Sequence, residues 1–536
     1  ALMNTQFYDK ITEFKTLEYP ESCINYETYE IPCKTDYHKV YFDFETTTDG
    51  DRHEPYLCRY EDEDGLQGEF IGDECGLEML NNLPDKECIM LIAHNANYDC
   101  RFLLKYLASQ KPIVKSGKFL SISCTFYRNC NKKERIHIKI KDSYRMMSMP
   151  LRNFGKPFKL PQSKGLMPYK IYKKENIKKV YLSILEGSSC FDNQSDIDAF
   201  IGNIDKWDCR GKGHRYNDFD IIKYASEYCK IDCSVLKQGY EIFRNWILEY
   251  TGLDIDGYIT IQSIASRFKL KTGCYKGVAQ LSGVVQQYIA NCVVGGRCMT
   301  NSNKRWHVKK KIADFDACSL YPSAMNRMLG YLKGTPKVLQ QNMLNYDFLK
   351  KQDGYFIRVK ILKVGKNLQF PLLSKINEKT GVRDFSNDMV GETVYIDKTC
   401  LEDIQKFQKM EFEIIDGYYF DEGRNDTIKH VIKYLYDLRK KLKQEKNPAQ
   451  IVIKLLMNSM YGKTILKPIE TDTNVVHENR YNKYVSFYYN SIQSAQKVGY
   501  KYYIKQIKLI LDHFNYVQCG VEILSMSKRI MNEVMV

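Results

Sequence analysis

No stretch of the sequence approaches the roughly 18 apolar residues an α-helical membrane span requires, and no basic-then-apolar leader opens it. The chain therefore reads as soluble, with no membrane partner. Its 18 cysteines include no C-x-x-C pair and no Cys/His cluster at zinc-ligand spacing. Their scatter argues against a disulfide framework, and they read as the reduced thiols of an intracellular protein. Internal repeats and low-complexity linkers are also missing, so domain boundaries rest on changes of pattern.

What is present is globular material. Hydrophobic residues make up 44% and charged residues 27% of 536, too apolar for a disordered chain and long enough for three or four domains of roughly 100–200 residues each. Eighty Lys and Arg against 65 Asp and Glu leave a net +15. That surplus favours polyanions, nucleic acid first, although a basic surface also serves solubility alone. The sequence opens at Ala1 and stops at Val536 inside an apolar-periodic segment with no helix-stop signal, so both ends read as artificial.

Residues 38–235 alternate strands with helices, the pattern of an α/β domain with chemistry at its strand ends. From His38 to Glu45, Val40, Phe42 and Phe44 share one face and Tyr41, Asp43 and Glu45 the other. Cys88–Ala93 reads as a buried strand ending at His94 and Asn95, and Phe219–Phe243 as a helix. No pattern assigns 244–284. A second unit begins near 285. There Lys309–Cys318 alternates as a strand, with Ala313, Phe315 and Ala317 on the face opposite Asp316, and Pro322 fits the first turn of a following helix. Residues 331–425 mix short strands with turn signals such as Gly365, Lys366 and Asn367. Ile428, Val431, Ile432, Leu435, Leu438 and Leu442 predict a long amphipathic helix ended by Asn447 and Pro448, and a second helix closing at Gly462 completes a hairpin.

Asp43 and Glu45 leave the same face of their strand, and their hard oxygens suit Mg²⁺ or Mn²⁺. Two such ions roughly 3.5–4 Å apart stabilise the attacking and leaving oxygens of a phosphodiester. Alone, the D-F-E-T run reads more readily as a solvated strand end. Asp99 follows the second strand in H-N-A-N-Y-D, where helix capping is the alternative, and Tyr228 and Asp232 share a helical face at a spacing also common in surface pairs. Together these four acids and one Tyr would make a two-metal nuclease centre in which Tyr228 orients the attacking water.

A second constellation follows Asp316, in A-C-S-L-Y-P-S-A. A strand, a tight turn through Ser319, Leu320 and Tyr321, and a helix would offer backbone N–H groups to a nucleoside triphosphate. Tyr321 is either a core ring or a ring under the sugar that leaves no room for a 2′-hydroxyl. Lys454, Asn458 and Tyr461, at i, i+4 and i+7, share a face on which a Lys binds phosphate oxygens and a ring stacks on a base. The G-K-T at 462–464 is not a phosphate loop, because Met457 stands where the first glycine belongs. Arg439, Lys440, Lys441 and Lys443 are a solvated face or further phosphate contacts. Gly295, Gly296 and Arg297 form a flexible basic spot open to a nucleic-acid strand.

Taken in order, these segments resemble the family B DNA polymerases. D-F-E-T at 43–46, N-A-N-Y-D at 95–99 and Y-C-K-I-D at 228–232 resemble the three exonuclease motifs. V-V-G-G-R at 293–297 resembles the Y-x-G-G linker motif with Val293 for Tyr, D-A-C-S-L-Y-P-S at 316–323 motif A, and K-L-L-M-N-S-M-Y-G at 454–462 motif B. The resemblance implies a multidomain α/β and α+β chain: a ribonuclease H-like 3′–5′ exonuclease domain plus a partial right-hand palm and fingers. It implies that Asp43, Glu45, Asp99 and Asp232 ligate the exonuclease metals with Tyr228 assisting, and that Asp316 ligates the polymerase metals. It further implies that Ser319, Leu320, Tyr321, Lys454, Asn458 and Tyr461 hold the incoming dNTP, with Tyr321 excluding ribonucleotides. Asn95, Gly295, Gly296, Arg297, Ser459 and Gly462 are the implied contacts to primer–template DNA. The short N-terminal part and the 331–425 insert resemble the protein-primed branch of adenoviruses, linear plasmids and small phages, in which such an insert contacts a terminal protein primer. A virus- or plasmid-encoded polymerase is thus implied.

One departure stands out. Motif C, a D-T-D turn carrying the second catalytic Asp, is missing; D-T-N at 472–474 has Asn474 in its place, follows motif B too closely and is expected to be a loop. The final G-V-E-I-L-S-M-S-K-R-I-M-N-E-V-M-V resembles the helix leading into motif C, so the chain is expected to be cut before that motif, with the thumb lost. The expected division is 1–35, an exonuclease domain over 36–243, linker and first palm part over 244–330, an insertion over 331–425, fingers over 426–470, and a second insertion with partial palm over 471–536. The expected parent is a proofreading DNA polymerase. An exonuclease-only fragment and a non-catalytic DNA-binding replication protein are the alternatives.

Overall fold

The computed structural model describes residues 22–32, 36–49, 53–115, 117–161, 165–298, 305, 307–314, 316–377, 381–467, 471–507 and 513–535. Phe315, residues 1–21 and Val536 lie outside them. The chain divides into two units, the first built from residues 32–261 and 469–508, the second from 18–31, 262–468 and 509–536.

The first unit is organised by a seven-stranded sheet of β1 (His38–Thr46), β2 (Pro55–Asp62), β3 (Gln67–Ile71), β4 (Cys88–Ala93), β5 (Ala108–Lys115), β6 (Lys118–Tyr127) and β7 (Arg135–Asp142). Its order is β3-β2-β1-β4-β7-β6-β5. β1, β4 and β7 run parallel, and the other pairings are antiparallel. This is the ribonuclease H-like arrangement expected. Alternation decides the faces: Val40, Phe42 and Phe44 join Leu91, Ile138 and Ile140 in one core, closed by Met79 and Leu80 of helix Cys75–Asn81. On the other face lies α1 (Ile221–Thr251), where Tyr41 meets Tyr240 edge-on at 5.7 Å.

The helix expected over 219–243 starts later and runs further. Asp218–Asp220 pairs with Tyr181–Ser183 as a strand, and the Asp220 side chain accepts the Lys223 N–H as N-cap. Buried Ile247 and Thr251 continue the apolar stripe until Gly252, at φ 66°, ends the helix.

Lys141 projects from β7 toward α1, is fully buried, and donates to the Ile255 carbonyl beneath the Tyr240 ring. Burial pulls its pKa down to about 7, against the partial opposition of Asp256. Unfolded, it titrates near its ordinary 10.5. Between these values the unfolded chain binds the extra proton, so stability rises with pH, at most about 1.4 kcal/mol per unit. The parent chain is expected to gain roughly 2 kcal/mol more than Lys141→Met between pH 7 and 9. Urea melts of both proteins at the two pH values measure this, and equal gains would contradict it.

D-T-N at 472–474, expected as a loop, is instead part of strand Thr471–His477, in a three-stranded antiparallel sheet with Lys501–Ile507 and Ile492–Val498. The β-branched residues around it and a Tyr-rich partner strand override the local turn preference of Asp and Asn. This sheet belongs to the first unit. The Tyr503 ring is buried among the β-sheet core residues and its hydroxyl donates to Gln110, while Lys501 caps the carbonyls of Leu104, Lys105 and Leu107.

The second unit holds a four-stranded antiparallel sheet in the order Lys337–Val338, Glu411–Phe420, Gly354–Lys363, Thr393–Asp397, packed by Leu401 and Ile404 of helix Lys398–Gln408. Around it stand α2 (Leu320–Arg327), α3 (Thr427–Gln444), α4 (Gln450–Ser459) and α5 (Val517–Met535). Ile428, Ile432, Leu435 and Leu442 form the buried stripe of α3, and Lys440, Lys441 and Lys443 are exposed. α4 ends at Ser459, three residues before Gly462, which opens a 3₁₀ turn. Ile24–Asn25 of the N-terminal segment pairs with Gln280–Leu281.

The strand expected over Lys309–Cys318 does not form: its described residues lie in no strand, and most are exposed. A strand needs a neighbour for its N–H and C=O groups, and none of the described residues supplies one here. α5 matches the helix expected at the C-terminal end and is tied down by ion pairs, Arg424 with Glu522 at 2.7 Å and Arg529 with Asp403 at 2.7 Å.

Candidate active sites

The first constellation gathers at one end of the first unit's sheet. Asp43 and Glu45 follow each other on one face of β1 and, with Cys229 of α1, have potential ligand atoms within 4.8 Å of one another. Cys229 donates its S–H to the Asp43 carbonyl at 3.5 Å, fastening α1 to β1 here. β1 pairs with β4 only as far as Tyr41↔Ile92. The edge beyond is open to Asp99, whose carboxyl is influenced by the Phe44 N–H.

Asp99 is the N-cap of a short helix, Cys100–Leu103, but makes no side-chain capping bond, so the capping alternative does not account for it. It is buried. Burial first and Asp43 second hold its carboxyl well above the usual range. From α1, Tyr228 and Asp232 enter together, both buried. The Tyr228 hydroxyl bonds that of Tyr169 at 2.7 Å, and burial, then Asp232, keep the phenol protonated far above neutral pH. Glu45 adds to that effect, so the three motifs meet in one electrostatic environment.

Two contributors carried no sequence signal. The terminal residue of β7, Asp142, pairs with Ala93 and accepts the N–H groups of Asn95 and Tyr144 through Oδ1. It thereby holds exposed Asn95 at φ 68°, a left-handed conformation Asn tolerates better than most residues. Tyr169, partner of Tyr228, sits 59 residues before it. Neither relation has a spacing rule, because each joins strand or loop ends distant in sequence. The other potential ligand group among the described residues, His38 with Asp62 and Asp64, already has its imidazole nitrogens on Asp62 at 2.9 Å and Glu63 at 3.1 Å.

In the second unit the structure joins motif A to motif B through two rings. Tyr321 of α2 lies flat on Tyr461, centroids 4.4 Å apart and planes 11° apart. Ser319 precedes α2 at φ 50°, ψ 55°, an uncommon conformation for a non-glycine residue that turns the chain sharply into Leu320. Lys454 and Asn458 are exposed along α4 in line with Tyr461, whereas Val452, Leu456 and Ser459 face the core. Ser459, 8% exposed, therefore does not present the DNA contact expected of it; Gly462, half-buried, has open space at its α-carbon. Asp316 is exposed and belongs to no group of three or more potential metal ligands among the described residues.

Gly295 and Gly296 also face open space. Arg297 beside them is not a waiting cation: its guanidinium donates to the carbonyls of Phe370 and Pro371 and to Asn532 Oδ1, and burial lowers its pKa. Among the described residues no helix is long and apolar enough to cross a membrane, and the cysteines form no disulfide.

The structure of phi29 DNA polymerase complexed with primer-template DNA has the same fold, with a TM-score of 0.61 at 17% identity over 93% of this chain and 77% of that one. The class so defined is a multidomain α/β and α+β chain with the fold of that polymerase. The chain belongs to the family described as DNA polymerase type B, organellar and viral, whose sequence pattern matches residues 83–535. A probable DNA polymerase of Neurospora intermedia is 27% identical over 388 residues, 70% of this chain and 38% of that protein. The DNA polymerase of Bacillus phage Nf is 24% identical over 452 residues, 80% of this chain and 68% of its own. The chain thus spans well under half the length of the Neurospora relative.

Proposed function

We propose that the first unit is the 3′–5′ editing exonuclease of a DNA polymerase, and that the second carries part of its dNTP-binding surface. The convergence of Asp43, Glu45 and Asp99 beside Tyr228 and Asp232 carries this reading. The four carboxylates offer hard oxygen, which suits Mg²⁺ or Mn²⁺, while the Cys229 thiol beside them is engaged by the Asp43 carbonyl. When bound, such a pair supplies positive charge to the attacking and leaving oxygens of the phosphodiester.

The chain's own groups do the rest. Tyr228, held by Tyr169 and kept protonated, orients the attacking water by hydrogen bonding. Asn95, exposed at the end of β4, contacts the strand being trimmed. In the second unit Lys454 and Asn458 face the triphosphate, the turn at Ser319 and Leu320 presents N–H groups, and Tyr321 on Tyr461 forms the floor that excludes a 2′-hydroxyl. Asp316 is the metal carboxylate of that site. Primer–template DNA and dNTPs are the substrates. A terminal protein contacting 331–425 is the proposed primer, in an intracellular, virus- or plasmid-encoded replication system.

Strand extension requires a second carboxylate beside Asp316, and these 536 residues are expected to shorten a primed strand in Mg²⁺ without lengthening it when dNTPs are added. A single-turnover assay on labelled primer–template DNA measures both. Extension would overturn the single-carboxylate argument, and salt-sensitive binding without any shortened product would replace the enzyme by a DNA-binding scaffold.

A further inference from the structure

Lys269 has no solvent-exposed surface, and among the described residues no carboxylate comes within ion-pair distance of it. Its Nζ lies 4.8 Å from the centre of the Tyr275 ring and 5.9 Å from that of Tyr331. These rings stack on each other at 5.7 Å, and Tyr516 lies flat on Tyr275 at 3.7 Å. The ammonium is thus held by aromatic faces and by one strong acceptor, the carbonyl of Met460.

That acceptor has a particular place in the chain. Met460 is the C-cap of α4, where unpaired carbonyls gather and a cation is favoured by the helix dipole, and the next residue is Tyr461, stacked on Tyr321. The cage also reaches α2, since the Tyr331 hydroxyl donates to the Met325 sulfur. Replacing a buried, unpaired cation by an apolar side chain of similar length is normally neutral or stabilising. A lysine here weakens the fold unless the placement it enforces is what matters.

We propose that Lys269 is a positioning residue for nucleotide binding: its ammonium fixes the end of α4 and thereby sets Tyr461 flat against Tyr321. The inference rests on the assignment of Lys454, Asn458 and Tyr461 to the triphosphate-binding face. It adds a dependence on pH. The groups facing Lys269 are Cys274, Cys519 and the three tyrosines, with Lys463 as a neighbouring cation, and burial brings Lys269 down to about 8. Below that pH the charged clamp is engaged; above it a neutral amine holds Met460 more weakly.

The test is binding of a fluorescent dATP analogue to the full chain in Mg²⁺, from pH 7 to 9, together with thermal melting. Lys269→Met is expected to bind about tenfold more weakly at pH 7 while melting at the same temperature or higher. Parent affinity is expected to fall several-fold from pH 7 to 9 and that of the variant to stay flat. The parent profile reads the clamp without any substitution, should Lys269→Met fail to fold. A folded variant that binds like the parent, or a parent profile that is flat, overturns the role of Lys269 and leaves the nucleotide site intact. A parent that binds no nucleotide at all removes the site, and this inference with it.

Discussion

Asp43→Ala is expected to abolish 3′–5′ degradation, by roughly 10³-fold or more, and to leave the protein at least as stable as the parent. Loss of a metal carboxylate removes several kcal/mol of stabilisation of the charge that develops in the transition state. The stability half follows from the same geometry. After burial, Asp43 is the foremost charge raising the Asp99 carboxyl. Removing it relieves repulsion that the fold otherwise tolerates for function. Single-turnover degradation and thermal melting, run side by side, separate this outcome from simple unfolding. A variant that loses activity and melts many degrees lower would show that Asp43 is an architectural residue. One that still degrades at the parental rate would remove the editing assignment.

The largest expected loss of stability is in the second unit, from Arg424→Leu. Arg424 pairs with Glu522 of α5 at 2.7 Å and donates to the carbonyls of Gly330 and Asp353 at 2.6 and 2.7 Å, with both side chains mostly buried. Deleting the guanidinium strands a buried carboxylate and two carbonyls, at a cost of about 3–5 kcal/mol. The double variant Arg424→Leu/Glu522→Leu is expected to recover much of that, because no charge is left without its partner. Denaturant unfolding of the four chains forms a double-mutant cycle. A single variant within 1 kcal/mol of the parent would refute the estimate (~3–5 kcal/mol expected).

What the sequence disclosed follows the range of the interactions involved. Cys88–Ala93 was readable to the residue, because a short apolar run bounded by polar groups is a local signal. The shared face of Asp43 and Glu45, and that of Tyr228 and Asp232, followed from strand and helix periods alone. What was illegible depended on distant partners. The alternation in Lys309–Cys318 suggested a strand, yet alternation supplies no ladder partner. D-T-N at 472–474 looked like a turn, and only the pairing with Lys501–Ile507 makes it a strand. Nothing local marks Asp142, because its tie to Asn95 depends on β4 and β7 ending in register. Motif position implies DNA contacts for Arg297 and Ser459, but packing turns one toward internal acceptors and the other toward the core.

The sheet of 471–507 sets an order of events during synthesis. β1–β7 and α1 are translated before the ring that completes their core beside Phe119, Tyr503, and residues 262–468 of the second unit come between. Until then the nascent first unit exposes the apolar seat for that ring, and loop closure over hundreds of residues must precede its final docking. During that interval a hydrophobic gap stays open to chaperones and to other nascent chains, so slow translation of the intervening residues is expected to lower the yield of folded protein.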